Sequence, residues 1–239
     1  MAILGILAAV TIPAMNSIQG AGNVTKAAYD IAGVLEQARA YAMANNTFVF
    51  VGIAETDSSV DASAKPQVAT ADPTIGGRIA VAVVASKDGT RGYDVTSGSL
   101  PNPAWSDTNL ASNLVVIGKL QRFENLHLAP KFSTITNSGG TTRPSVSSGN
   151  YQIGNSACAS VTPFDWPIGS AIGSGQYSFQ KVVNFDPQGV ARIQTSGNTD
   201  TIGQYMEIGL QQTRGTTASS NVAAIQIDGM SGTTRIYRP

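Results

Sequence analysis

The sequence predicts an α+β chain, one long N-terminal helix followed by a series of β-strands. Two observations carry that reading. Over residues 24–42 apolar side chains recur at steps of three and four, the spacing of one face of an α-helix. From Phe48 onward the pattern changes to short runs of β-branched and aromatic residues, separated by clusters of Gly, Pro, Asp, Asn and Ser. That is the punctuation of strands and turns. A third observation limits the alternatives. Only 13% of the 239 residues are charged and 25 are glycine, a balance that suits a β-rich extracytoplasmic domain with long loops.

The helical region opens with Met1–Met15, in which every residue except Thr11 is apolar or small. At ~1.5 Å per residue the run reaches about 22 Å, short of a ~30 Å hydrocarbon core. No basic stretch precedes it and no small-x-small site ends it, so it lacks the marks of a signal peptide. It reads instead as a truncated membrane helix. Pro13 removes a helical hydrogen bond and predicts a kink, and Asn16–Asn23, with Gly20 and Gly22, predicts a polar hinge. Beyond it Val24, Ala28, Ile31, Leu35, Ala38 and Ala42 line one stripe, widened by Ala27, Val34 and Tyr41. The paired Asn45 and Asn46 mark the helix end. The chain therefore divides into residues 1–22, an apolar N-terminal helix segment for a membrane or filament core, and residues 23–239, a globular domain.

Phe48–Ile53 is the first predicted strand, and Ala54–Gly76, polar with Pro66 and Pro73, a long loop. Arg78–Ala85 follows with apolar residues at both odd and even positions, the pattern of a central strand covered on both faces. Gly92–Asn113 reads as loop and Leu114–Phe123 as strand. Residues 137–175 are dominated by Ser, Gly, Thr and Asn, too long for a simple connection in a compact domain. They are expected to form an exposed insertion, partly ordered by Phe164 and Trp166. Tyr177–Phe185, Val190–Ile193, Tyr205–Gln212, Val222–Ile227 and Thr234–Tyr237 are the closing strands. Asp186–Gly189 and Asp228–Gly232 supply turns between them.

Five stretches, in two groups, carry a family resemblance. Ile3-Leu4-Gly5-Ile6-Leu7-Ala8-Ala9-Val10-Thr11-Ile12-Pro13 resembles the middle of the N-terminal helix of type IV pilins and type II secretion pseudopilins. Leu35–Asn46, together with Phe185-Asp186-Pro187-Gln188-Gly189, Glu207–Gln211 and Ala224-Ile225-Gln226-Ile227-Asp228, is similar to the H-type minor pseudopilins and FimT-type pilins. The resemblance implies a long helix packed on an antiparallel β-sandwich. It also implies a structural role: a bacterial inner-membrane subunit with a periplasmic domain that joins an envelope filament. Met1, Ile3, Leu4, Ile6, Leu7, Val10, Ile12 and Pro13 would carry assembly with other pilin or pseudopilin subunits. The family's basic leader, Gly-Phe cleavage point and early glutamate are not in this sequence, so the expectation is that the reading frame starts upstream of Met1.

The chemistry-bearing residues point away from catalysis, and the chain is expected not to be an enzyme. His127 is the sole histidine, and no nucleophile elbow, Walker or His-Glu-x-x-His pattern surrounds it; it reads as structural or exposed. Cys158 has only His127 as a potential activating partner. Glu55, Asp57 and Asp61 lie close in sequence, and loops of some pseudopilins bind calcium. Their spacing lacks the glycine and the bidentate glutamate of a calcium loop, so they read as a solvated acidic loop. Gly169–Gly175 is not set between a strand and a helix and reads as flexible loop rather than a phosphate cradle. No metal and no cofactor is expected.

Lys plus Arg and Asp plus Glu stand at 15 each, so no global charge draws the chain to nucleic acid. The alternative to a structural role is DNA uptake. FimT-type pilins that take up DNA have a basic C-terminal hairpin, typically Gly-Arg-x-Arg. Here Gly232–Arg238 places Arg235 and Arg238 three apart, on opposite faces of a regular strand. A bulge near Thr233-Thr234, or fraying at Pro239, would bring them to one side with Arg214 nearby, against phosphates.

Overall fold

Among the described residues of the computed structural model, one α-helix, α1 (Ala2–Asn45), precedes twelve strands. The structure describes residues 2–71, 73–89, 114–130, 143–158, 164–169, 175–193 and 202–238, and for residues 2–21 the helical backbone alone. The predicted hinge at Asn16–Asn23 is not an interruption, because α1 is helical throughout that stretch. Glycine in a helix costs only about 1 kcal/mol against alanine, too little to end a helix on its own. The helix stops where the asparagines predict. Asn46 takes a left-handed φ of 49°, and the Thr47 amide donates back to the Ala42 carbonyl at 3.1 Å. That is the Schellman arrangement, and it satisfies a terminal carbonyl.

The strands are β1 (Val49–Asp57), β2 (Gly77–Ser86), β3 (Leu114–Val116), β4 (Gln121–Glu124), β5 (Leu126–Ala129), β6 (Phe164–Trp166), β7 (Tyr177–Phe179), β8 (Lys181–Phe185), β9 (Ala191–Arg192), β10 (Tyr205–Arg214), β11 (Thr217–Asp228) and β12 (Thr234–Tyr237). One sheet has the order β3-β2-β1-β8-β9, with β4 also paired to β2. A second has the order β12-β11-β10-β5, and β6 and β7 form a separate pair. These strand pairings are antiparallel, so the class is α+β as predicted.

The alternation read from Arg78–Ala85 decides where the core sits. Ile79, Val81, Val83 and Ala85 join the helix stripe and the inward residues of the second sheet in one core. Ala80, Ala82 and Val84 face the other way, against Phe50, Phe164, Tyr177 and Phe179. Gly52 makes the second packing possible: a Cβ there would lie 2.6 Å from both the Phe164 and Phe179 rings. Every predicted stripe residue from Val24 to Ala42 is buried, with Tyr41 partly so.

Several boundaries differ from expectation. β1 continues through Glu55 to Asp57, into the stretch predicted as loop, because β2 pairs with it along its whole length. Leu114–Phe123 is two strands, β3 and β4, both on β2. Tyr177–Phe185 is also two, since β7 pairs with β6 and β8 with β1. The region expected as an exposed insertion contributes to the core. Tyr151, Ile153 and Cys158 are buried in it, and the Ile153 amide donates to the Glu207 carbonyl at 2.8 Å. Gly154 lets this segment press on β5, because a Cβ there would lie 2.2 Å from the Ala129 carbonyl oxygen.

Candidate functional site

The side chains of Met1, Ile3, Leu4, Ile6, Leu7, Val10, Ile12 and Pro13 lie outside the described residues. What is described is how the rest of their helix is held. The stripe from Val24 to Ala42 docks on both sheets, and polar ties reinforce it. Glu36 Oε1 accepts from the Thr234 amide at 2.8 Å and from Thr234 Oγ1 at 2.9 Å. Arg238 donates to Thr25 Oγ1 and to Asn221 Oδ1, the latter at 3.0 Å. Arg39 packs against Gly232, where a Cβ would come within 2.9 Å of its Cδ.

Glu55 is not part of a solvated acidic loop. Its carboxylate is buried and accepts from the Gly76 amide at 2.7 Å, the Gly77 amide at 3.2 Å and the Leu128 amide at 2.9 Å. His127 Nδ1 stands 2.8 and 2.9 Å from its two oxygens. Since the carboxylate has only acceptors, Nδ1 is the donor. His127 thus lies on β5 and joins the two sheets through a β1 side chain. Sequence reading placed it after a strand; it sits within one, and no nucleophile is among its bonded partners. Asp57 and Asp61 are local turn formers. Hydrogen bonds from the Ser59 amide and side chain hold the Asp57 carboxyl below its ordinary range, and those from the Ser63 side chain and amide do the same at Asp61. Among the described residues no group of three or more His, Cys, Asp or Glu is placed to hold a metal ion.

The centre of the 58–67 segment is Arg78, which the sequence reading missed. Its Nε donates to both Glu124 oxygens at 2.8 and 3.0 Å, and its Nη1 to the Val60 carbonyl at 3.0 Å and Gln67 Oε1 at 2.9 Å. Gln67 in turn donates to the Asp61 and Ala64 carbonyls. A further ion pair joins Arg143 Nε to Oε2 of the buried Glu207 at 3.3 Å. Burial raises the Glu207 carboxyl above its ordinary range, against the pull of Arg143. The sequence offered a signal only for Arg78, a charge at the start of an otherwise apolar strand.

The arginines of the DNA reading stand apart. β12 pairs with β11 in regular register, Gln226 opposite Arg235 and Ala224 opposite Tyr237, with no bulge at Thr233-Thr234. The register shift in this sheet falls between Gln211 and Thr213 instead. Arg214 sits opposite Thr217 at the far end of the β10–β11 hairpin. Nine residues of β11 separate it from the Arg235 row, roughly 30 Å along a strand. Of Gly169–Gly175, residues 170–174 lie outside the described residues.

Among the described residues no helix is long and apolar enough to cross a membrane. No family model, no curated protein and no solved structure matches the chain.

Proposed function

We propose that the chain is a structural subunit, a minor pilin or pseudopilin of a type IV pilus-like or type II secretion filament, with a pilin-like sandwich as its globular domain. One observation carries the reading: a single helix is bound to the two antiparallel sheets along Val24–Ala42 and continues through the polar stretch 16–23 to Ala2, its first fourteen residues apolar or small except Thr11. A helix of that pattern has one half committed to its own domain and one half that seeks apolar surroundings from elsewhere. Before assembly that surrounding is the bacterial inner membrane, with the domain in the periplasm. After assembly it is the helices of neighbouring subunits. DNA capture is the lesser reading, since Arg238 is engaged within the fold and Arg214 and Arg235 lie on different strands, beside opposite ends of β11.

The test uses the full chain with phospholipid vesicles. The native chain is expected to float with the vesicles, and single cysteines at Ile3 or Val10 to cross-link neighbouring copies there. Leu7→Asp should abolish both. A native chain that stays monomeric in detergent-free buffer, leaves vesicles alone and forms no such cross-link would overturn the proposal. Duplex DNA binding near physiological salt that Arg214→Ala with Arg235→Ala abolishes would move DNA uptake ahead of it.

A further inference from the structure

We propose that the C-terminal strand β12 is a latch on helix α1, with Glu36 as the residue that positions it. The argument starts from which way the β12 amides point. The Asp228 amide donates to the Thr233 carbonyl at 3.0 Å, and Thr234 follows opposite Ile227. Antiparallel pairing alternates bonded and non-bonded pairs, so the Thr234 and Ile236 amides face away from β11. β12 is the end of its sheet, and an edge of that kind is a template for another strand unless something covers it. Glu36 does so at Thr234, taking both its amide and its hydroxyl.

Arg238 makes the second tie, to Thr25 on the helix and Asn221 on β11. The geometry of the two ties matches. Thr25 and Glu36 are eleven residues apart on a helix, about 16 Å, and Thr234 and Arg238 are four apart on a strand, about 13 Å. β12 therefore runs antiparallel to the helix and is fastened at both ends. A third point fixes the turn before it. Gly232, with φ of 67°, sits between the Gly189 carbonyl oxygen and the Arg39 side chain, so close that a Cβ would meet that oxygen at 2.1 Å. The helix and the terminal strand hold each other: neither leaves the sheet without opening the ties of the other. The latch lies within one copy of the chain and does not depend on filament assembly.

Amide hydrogen exchange on the full chain in detergent tests it. In Glu36→Ala the Thr234 amide should exchange about tenfold faster than in the native chain, the scale expected for loss of a charge-assisted hydrogen bond. Glu36→Gln keeps an acceptor oxygen and should restore most of the protection. Arg238→Ala should speed exchange in the helix around Thr25. The β1–β2 amides should be unchanged in all three. Unchanged protection at Thr234 in Glu36→Ala would overturn the latch. So would equal acceleration across every strand in both Glu36 variants, because that pattern means general loss of stability.

Discussion

The helix stripe and the Glu55 node are both buried, both join the two sheets, and differ in what holds them. Along the stripe, Val24, Ile31 and Leu35 need only apolar surroundings. Any partner of the right volume would serve, so each contact is replaceable at a modest cost. At the node one carboxylate meets three backbone amides and a histidine. Each of those donors is buried and meets the same carboxylate, so the node fails as a unit. The difference teaches where this fold is tolerant and where it is not.

The largest expected effect breaks the node. Glu55→Ala strands three amides and His127 at once, and unpaired buried groups of this kind cost about 1–3 kcal/mol each. Non-additivity among neighbours and partial repair by water reduce the sum, so a loss of about 4–5 kcal/mol is expected in urea unfolding. Glu55→Gln keeps one acceptor oxygen and should fall between Glu55→Ala and the native chain. An Ala variant no worse than a stripe truncation would remove the contrast.

The stripe supplies the next effect. Leu35→Ala removes a fully buried side chain and should cost about 3 kcal/mol by the same measurement, from lost transfer energy and the cavity left behind. Leu35→Met, which conserves volume, should cost less than about 1.5 kcal/mol. If the Met variant is as damaging as the Ala variant, shape rather than burial governs the stripe.

The same contrast explains what the sequence could show. Helix periodicity is local, so Val24 to Ala42 are visible as a stripe in the sequence alone. The two faces of β2 are visible for the same reason, since Val81 and Ala82 alternate between two apolar environments. Polar partners are chosen by the fold. Glu55 and His127 are 72 residues apart, and Glu36 and Thr234 are 198 apart. Nothing in either neighbourhood of the sequence names the other member. Glu55, beside Asp57 and Asp61, therefore reads as acidic loop until the pairing of β1 with β2 buries it. Ile153 and Cys158 misled in the opposite sense, two apolar anchors diluted by glycine and serine. The arginines were half legible: spacing separated Arg235 from Arg238, but only the fold shows Arg238 tied to Thr25.

A smaller effect sharpens the helix end. Asn46 holds a left-handed conformation, which costs residues with a Cβ about 1–2 kcal/mol, less for asparagine. Asn46→Ala should lower stability by about 1 kcal/mol, whereas Asn46→Gly should be neutral or slightly stabilising. Equal effects of the two would mean that the left-handed turn does not set where α1 stops.

The smallest effect belongs to the Arg143–Glu207 pair and is read from its pH dependence. Glu207 differs from Glu55 in its donors: its Oε2 faces Arg143 at 3.3 Å and has no hydrogen bond of good geometry. Burial therefore raises its carboxyl above the ordinary value of 4.5. The folded chain then binds this proton more tightly than the unfolded chain does. The resulting stabilisation is fully present below 4.5 and is lost as pH rises through the raised folded value. Glutamine does not titrate, so Glu207→Gln should gain on the native chain as pH rises from mildly acidic to neutral. The loss of the Arg143 pairing should appear as an offset in the same comparison, since glutamine gives Arg143 no charge to face. Urea midpoints of the two chains, taken on both sides of the carboxylate range, measure the difference. A gap between native and variant that widens in favour of the native chain toward neutral pH would mean that Arg143 outweighs burial.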